Sequence, residues 1–193
     1  MKQKGKIFVF SAASGAGKTT LLDYLKANVE DLVYSISATT RLPRSHEKNG
    51  LHYFFMNEGE FKNRIANNEF AEWAIVHNHY YGTPKQFIDE TIHSGKHIIM
   101  DIDVFGKKKF DETYPDSVGV LLLPPSLAVL RKRLQDRKTD SQEVIELRIS
   151  NAEKEMAFAK EQGKYEYTIV NDNLEKAEAD VVALVNNEIK ANS

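Results

Sequence analysis

Ile7 to Phe10 runs without a break into Ser11-Ala12-Ala13-Ser14-Gly15-Ala16-Gly17-Lys18-Thr19-Thr20, and Leu21, Leu22 and Leu25 follow at helical spacing. A short apolar strand, a loop with two glycines and an amphipathic helix, in that order, leave few folds open. Glycines let the backbone curl until successive N–H groups point into one hollow, and the helix N-terminus behind them adds its partial positive charge. Such a hollow suits phosphate. Against the pattern GxxxxGK[ST], Gly17, Lys18 and Thr19 stand in register. Ala12 takes the first glycine position, where a slightly different backbone angle is expected. The nucleotide contacts expected of this loop are Ala12, Ala13, Ser14, Gly15, Ala16, Gly17, Lys18, Thr19 and Thr20. Lys18 would bridge the β- and γ-phosphates and the Thr19 hydroxyl would coordinate Mg2+.

The rest of the chain alternates short apolar runs with longer amphipathic segments, the pattern of an α/β protein whose parallel strands are buried on both faces. Ile7 to Phe10, His97 to Met100, Val118 to Leu123 and Tyr167 to Val170 read as core strands. Thr19 to Ala27, Lys85 to His93, Ser126 to Arg137, Glu143 to Lys160 and Glu175 to Ile189 read as helices. Leu127, Leu130 and Leu134 mark one buried stripe, and Ile145, Ile149, Ala152 and Met156 mark another. Val33 to Tyr81 breaks the alternation with short β-like runs, Arg, Tyr and Pro, and a helical segment around Phe61 and Ile65. It reads as an inserted mixed α/β subdomain. A polar stretch from Asp136 to Val144 joins two helices. The expectation is a single domain of 193 residues: a phosphate-loop parallel sheet flanked by helices (core 1–32, 82–135 and 151–193), an inserted subdomain (33–81) and a helical lid (136–150).

Composition removes several classes of function. With no cysteine, thiolate zinc sites, disulfides and thiol nucleophiles are excluded, and a formal net charge of −2 predicts no general attraction to nucleic acid or anionic membrane. The basic segment Lys2 to Lys6 precedes an apolar run far shorter than a signal-peptide core or a membrane span, so a cytoplasmic protein is expected.

A phosphate loop alone implies a nucleotide, not a reaction. The acceptor side rests on Ser37 to Arg44, Ser-Ala-Thr-Thr-Arg-Leu-Pro-Arg, where Pro43 holds Leu42 extended between Arg41 and Arg44. Two guanidiniums fixed in one loop make a fork for a phosphate dianion, although a solvated basic turn would read the same way. Asp101 and Asp103 follow the strand His97 to Met100, at the carboxyl end where ligands bind in open α/β sheets, with period-two spacing that points both to one side.

SATTRLPR, NGLHYFF (Asn49 to Phe55), EFAEW (Glu69 to Trp73), YYGTP (Tyr80 to Pro84) and MDIDVFG (Met100 to Gly106) together resemble the guanylate kinases in order and spacing. The likeness continues through LRKRLQDRKTD (Leu130 to Asp140) and ELRISNAEKEM (Glu146 to Met156) to IVNDN (Ile169 to Asn173), nearly the whole chain. The resemblance implies ATP and GMP (with dGMP) as substrates and a GMP site in the inserted subdomain, with Arg41, Arg44, Tyr53 and Tyr81 on the GMP phosphate. It implies that Glu72 reads guanine, with Ser37 and Thr83 lining the base. A carboxylate accepts from guanine N1–H and the 2-amino group together, and adenine offers neither donor pair. Thr83 stands where relatives commonly carry Ser. Asp101 and Asp103 would order the Mg2+ water shell and the acceptor side of the site, roles that spacing does not divide between them; Thr19 is the expected metal ligand, with Asp101 acting through water.

Arg133, Arg137 and Arg148 lie on the stretch that resembles the family's lid, where positive charge supplied on closure would offset the repulsion between two anionic substrates. Lys138 replaces a glycine common in relatives. Asn171 follows the last core strand and reads either as facing the adenine of ATP or as a strand-end turn. Lys18, Arg41, Arg137 and Arg148 are the expected catalytic residues. The six histidines need no catalytic role. Two rivals share the fold: a kinase for a ribosyl phosphate, which has no use for Glu72, and a non-catalytic guanylate-kinase-like binding module, which typically loses the phosphate loop or the lid charges.

Overall fold

A computed structural model describes residues 3–13, 15–76, 78–136 and 140–191. Strand β1 (Ile7–Ala12) leads through the glycine loop into α1 (Lys18–Asn28), followed by β2 (Leu32–Tyr34). The chain continues through β3 (Ala38–Thr39), β4 (Phe54–Phe55), α2 (Glu58–Ala66), β5 (Phe70–Val76) and β6 (His79–Pro84). It then returns as α3 (Lys85–His93), β7 (His97–Asp101), α4 (Val104–Thr113), β8 (Val118–Leu123), α5 (Leu127–Asp136), α6 (Gln142–Gln162), β9 (Tyr167–Val170) and α7 (Leu174–Ala191).

Two sheets divide these strands. The first is parallel throughout, in the order β2-β7-β1-β8-β9. Its centre is β1, buried at every residue. Phe8 and Phe10 join Leu21, Leu22, Leu25, Val181 and Val185 on the face covered by α1 and α7. Ile7 and Val9 join Ile88, Ile92, Met100 and Phe110 on the face covered by α3 and α4. Alternate residues of one strand thus fill two cores, which is why the run is apolar throughout. The second sheet, β4-β3-β6-β5, is mixed: β3 and β4 pair in parallel, and β3–β6 and β5–β6 are antiparallel. Phe61 of α2 stacks on Phe70 behind it, with ring centroids 4.3 Å apart.

The α/β architecture is the expected one, with local differences. Val33 and Tyr34 belong to β2, an edge strand of the main sheet, and the second sheet runs on to Pro84. Three residues are too few for periodicity to distinguish a strand of one sheet from a strand of the other. Helix α4 was not expected at all: Lys107 occupies a core position of that helix, fully buried, and breaks its apolar stripe. No helix among the described residues is long and apolar enough to cross a membrane.

Candidate active site

The carboxyl ends of β1 and β7, the start of α1 and the facing side of the second sheet meet around one cleft. Gly15 and Gly17 both take left-handed backbone angles, φ 88° and 92°, and Ala16 N–H donates to the Ala13 carbonyl at 3.0 Å between them. Gly17 caps α1 without any side chain, and no acidic residue lies in the first helical turn. The leading N–H groups of α1 therefore have no carboxylate of their own to satisfy them, and the hollow formed by Ala12, Ala13, Gly15, Ala16, Gly17, Lys18, Thr19 and Thr20 is suited to an anion. Ala12 needs no unusual angle. It is the last residue of β1, in register with Leu122, and the curl begins one residue later.

Lys18 is ion-paired through Nζ to Asp101 Oδ1, at the end of the neighbouring strand β7. Tyr34 donates its hydroxyl to the other oxygen, Oδ2, at 3.4 Å. Burial, and then the Asp101 carboxylate, push the Tyr34 phenol well above its ordinary range, so it stays a donor. Asp101, Tyr34, Ser35, Ser37, His52, Tyr53 and Thr83 line a cleft of about 130 Å3 between the two sheets. Asp103 does different work from Asp101. It has left the strand and caps α4, its Oδ1 accepting from Phe105 N–H at 2.9 Å and Gly106 N–H at 2.7 Å.

Arg41 and Tyr81 meet directly, Nε donating to the phenol oxygen at 3.2 Å. The guanidinium lies 5.4 Å from the centre of the Tyr53 ring, and the Tyr53 and Tyr81 rings stand edge to face, 6.0 Å apart. Both terminal nitrogens of Arg41 are held by Glu47, at 2.9 and 2.8 Å. Glu47 in turn is held down to about 2 by that fork and by the Arg44 backbone N–H. The Arg44 residue itself is exposed.

Glu72, on β5, accepts from the Thr83 hydroxyl of β6 at 2.7 Å. Burial raises its carboxyl pKa, the Thr83 bond opposes that, and nearby Asp103 adds to it. Thr83 is itself buried, so its hydroxyl orients one oxygen of Glu72 from behind.

On the other side of the phosphate loop, Leu130 and Leu134 of α5 pack on Ile145, Ile149 and Ala152 of α6, together with Ala13. A methyl group on Gly15 would come within 2.9 Å of Leu130 Cδ1. Arg133 turns inward and donates to the Asn171 carbonyl at 2.8 Å, so it ties α5 to the end of β9. Arg148 pairs with Asp140 at 3.4 Å. Asn171 lies directly after β9. Its side chain is buried and donates from Nδ2 to the Ala16 carbonyl at 2.9 Å, bracing the phosphate loop from below. Ser14, Arg137 and Lys138 lie outside the described residues.

A family model described as Guanylate kinase matches residues 4–188. The guanylate kinase of Neisseria gonorrhoeae is 45% identical over 184 residues, 95% of this chain and 88% of that protein. That of Thermotoga maritima is 40% identical over 185 residues, 96% of this chain and 88% of that protein. The chain belongs to the guanylate kinase family. Among solved structures, the guanylate kinase from Anaplasma phagocytophilum superimposes with a TM-score of 0.70 at 30% identity, covering 97% of this chain and 87% of that one.

Within this guanylate kinase fold, Tyr34, Ser35, Glu47 and His52 join the site although sequence reasoning passed over them. Tyr34 and Ser35 were read as part of the insertion, and only the pairing of β2 with β7 brings them to Asp101. Glu47 carried one usable signal, its place three residues after Arg44, within reach of both arginines of the loop.

Proposed function

We propose that this guanylate kinase family member transfers the γ-phosphate of ATP to GMP, giving ADP and GDP by direct in-line displacement. The observation that carries the reading is the presence of two unlike recognition sites: a glycine-lined anion hollow that includes Lys18, and a partly buried carboxylate, Glu72, held by Thr83, a residue that lines the cleft beside Asp101. ATP phosphates take the N–H groups at the start of α1. Lys18 then exchanges its bond to Asp101 for bonds to phosphate oxygens, which releases Asp101 toward the acceptor side.

GMP enters the cleft with its phosphate toward Arg41, Arg44, Tyr53 and Tyr81 and its base toward Glu72, Ser37 and Thr83. Ionised Glu72 accepts from the two adjacent guanine donors. AMP would leave Glu72 Oε2, the oxygen that Thr83 does not hold, covered without a donor, and a site built on such a polar pair rejects the wrong base by roughly 10⁴-fold or more. The GMP phosphate oxygen is already ionised near neutral pH and attacks the γ-phosphorus without a base, so this chain supplies positioning and charge. Arg148 and Arg137 bring positive charge from the lid side as the two anions approach.

The hydroxyl of Thr19, exposed in the first turn of α1, and the carboxylate of Asp101 are hard oxygen donors of the kind Mg2+ prefers. They would hold the ion that accompanies ATP, Asp101 through water, and its charge would neutralise the phosphate oxygens.

ADP release from ATP and Mg2+, followed in a coupled assay with GMP, AMP or ribosyl bisphosphate as acceptor, tests this directly. Turnover with GMP alone, lost in Lys18→Ala, is the expected result. A folded protein that turns over another acceptor in preference to GMP, or none, refutes the proposal.

A further inference from the structure

Arg41 has five N–H donors in a fixed plane. Nη1 spends its two on the Leu42 carbonyl at 2.8 Å and on Glu47 Oε2 at 2.9 Å. Nη2 spends one on Glu47 Oε1 at 2.8 Å, and Nε spends its own on the Tyr81 hydroxyl oxygen at 3.2 Å. One N–H of Nη2 is left. In a planar guanidinium that proton lies on the same edge as Nε–H, so it points out beside the Tyr81 phenol. The phenol oxygen is accepting from Nε, which leaves its own proton free to donate. The two unspent donors, one from Arg41 and one from Tyr81, therefore stand side by side.

Glu47 also reaches the other arginine of the loop, its Oε2 accepting from Arg44 N–H at 2.7 Å. One carboxylate, with a side chain only 6% exposed, thus fixes the plane of Arg41 and the backbone that carries Arg44. We propose that Glu47 is a positioning residue of the acceptor phosphate site: by occupying the end-on fork of Arg41 it turns the other edge of the guanidinium, together with Tyr81, toward the phosphate of GMP. This rests on the function proposed above. Glu47 touches no substrate and acts through Arg41. Fork and carboxylate are matched in shape as well as charge, so neither the amide of glutamine nor a shorter acid reproduces the contact.

Binding of GMP and of ATP measured separately by calorimetry on wild type, Glu47→Gln, Arg41→Gln and the double variant provides the test. Glu47→Gln is expected to weaken GMP by about tenfold or more and leave ATP unchanged, the cost of spoiling a charge-assisted pair. Because Glu47 works through Arg41, the double variant is expected to bind GMP no more weakly than Arg41→Gln alone. Should Glu47→Gln fail to fold, Glu47→Asp keeps the charge but falls short of the fork, and the same split between GMP and ATP is expected.

Unchanged GMP affinity overturns the inference, as do losses that add in the double variant or fall equally on ATP. Tighter GMP binding also overturns it, because Glu47 would then be a competitor for the phosphate. A wild type that binds GMP beside a Glu47→Gln that binds it equally well refutes this inference alone; a wild type that binds none refutes the function with it.

Discussion

Replacing Glu72 by Gln separates what the site needs from what the fold prefers. Thr83 donates to Oε1 at 2.7 Å, leaving Oε2 and the remaining lone pair of Oε1 for guanine. In Glu72→Gln the carbonyl keeps the Thr83 bond, and the amide nitrogen falls where Oε2 was. A donor then faces a guanine donor. The loss is one charge-assisted hydrogen bond, about 1.5–3 kcal/mol, plus about 1–3 kcal/mol for leaving a buried donor unmatched. The sum, about 2.5–6 kcal/mol, corresponds to a fall of roughly 10²–10⁴-fold in kcat/KM for GMP, at about 1.4 kcal/mol for each tenfold.

Stability should move the other way. Burial raises the Glu72 pKa in the folded chain, so the protonated acid is the form the fold favours. Its contribution to stability is fully present below the unfolded value and is lost as pH rises through the folded one. At neutral pH the wild type carries that loss and Glu72→Gln does not, so the variant is expected to melt higher. Activity needs the ionised form, so kcat/KM for GMP should fall more steeply on the acid side in the wild type than in Glu72→Gln, where only the ionisation of the GMP phosphate remains. Initial rates with varied GMP from pH 4.5 to 8, alongside melting curves, read both effects. A variant that keeps wild-type kcat/KM, or an acid limb as steep as that of the wild type, would refute the assignment of Glu72 to the base.

Three other substitutions test neighbouring parts of the structure. In Gly106→Ala the new methyl would lie 2.7 Å from Ile102 Cγ2 and 3.4 Å from Glu72 Oε2, so steady-state kinetics should show a raised KM for GMP with KM for ATP unaffected. Asn171→Ala removes the donor to the buried Ala16 carbonyl; an uncompensated carbonyl costs about 1–3 kcal/mol, and both a lower Tm and a KM for ATP raised several-fold are expected. Lys107→Met removes the buried cation that holds Asp111 at 2.6 and 2.7 Å and leaves that carboxylate, only 15% exposed, with the Ser117 hydroxyl alone; this should cost about 3 kcal/mol, seen in scanning calorimetry as a Tm lowered by roughly 6–12 °C.

The sequence by itself determined the phosphate loop and the central sheet. Both are written in contiguous residues: glycine angles and helix entry are local properties, and β1, β7 and β8 are apolar runs because they lie inside the sheet and are covered on both faces, whereas β9 is the edge strand and buries only Ile169. Arg41, Tyr53 and Tyr81, which fall within motifs shared with the family, do come together, and so do Glu72 and Thr83. What each of those side chains touches was decided only by tertiary structure. Asp101 and Asp103 look equivalent at period-two spacing, yet the chain leaves the strand between them, so one meets Lys18 and the other caps α4. Nothing in the residues around Asn171 and Arg133 shows that the first braces the phosphate loop through the Ala16 carbonyl or that the second ties α5 to the Asn171 carbonyl. Glu47 and Tyr34 had no motif of their own. A hydrogen bond between residues many positions apart depends on how strands register and which way a loop folds back, and local propensity carries neither.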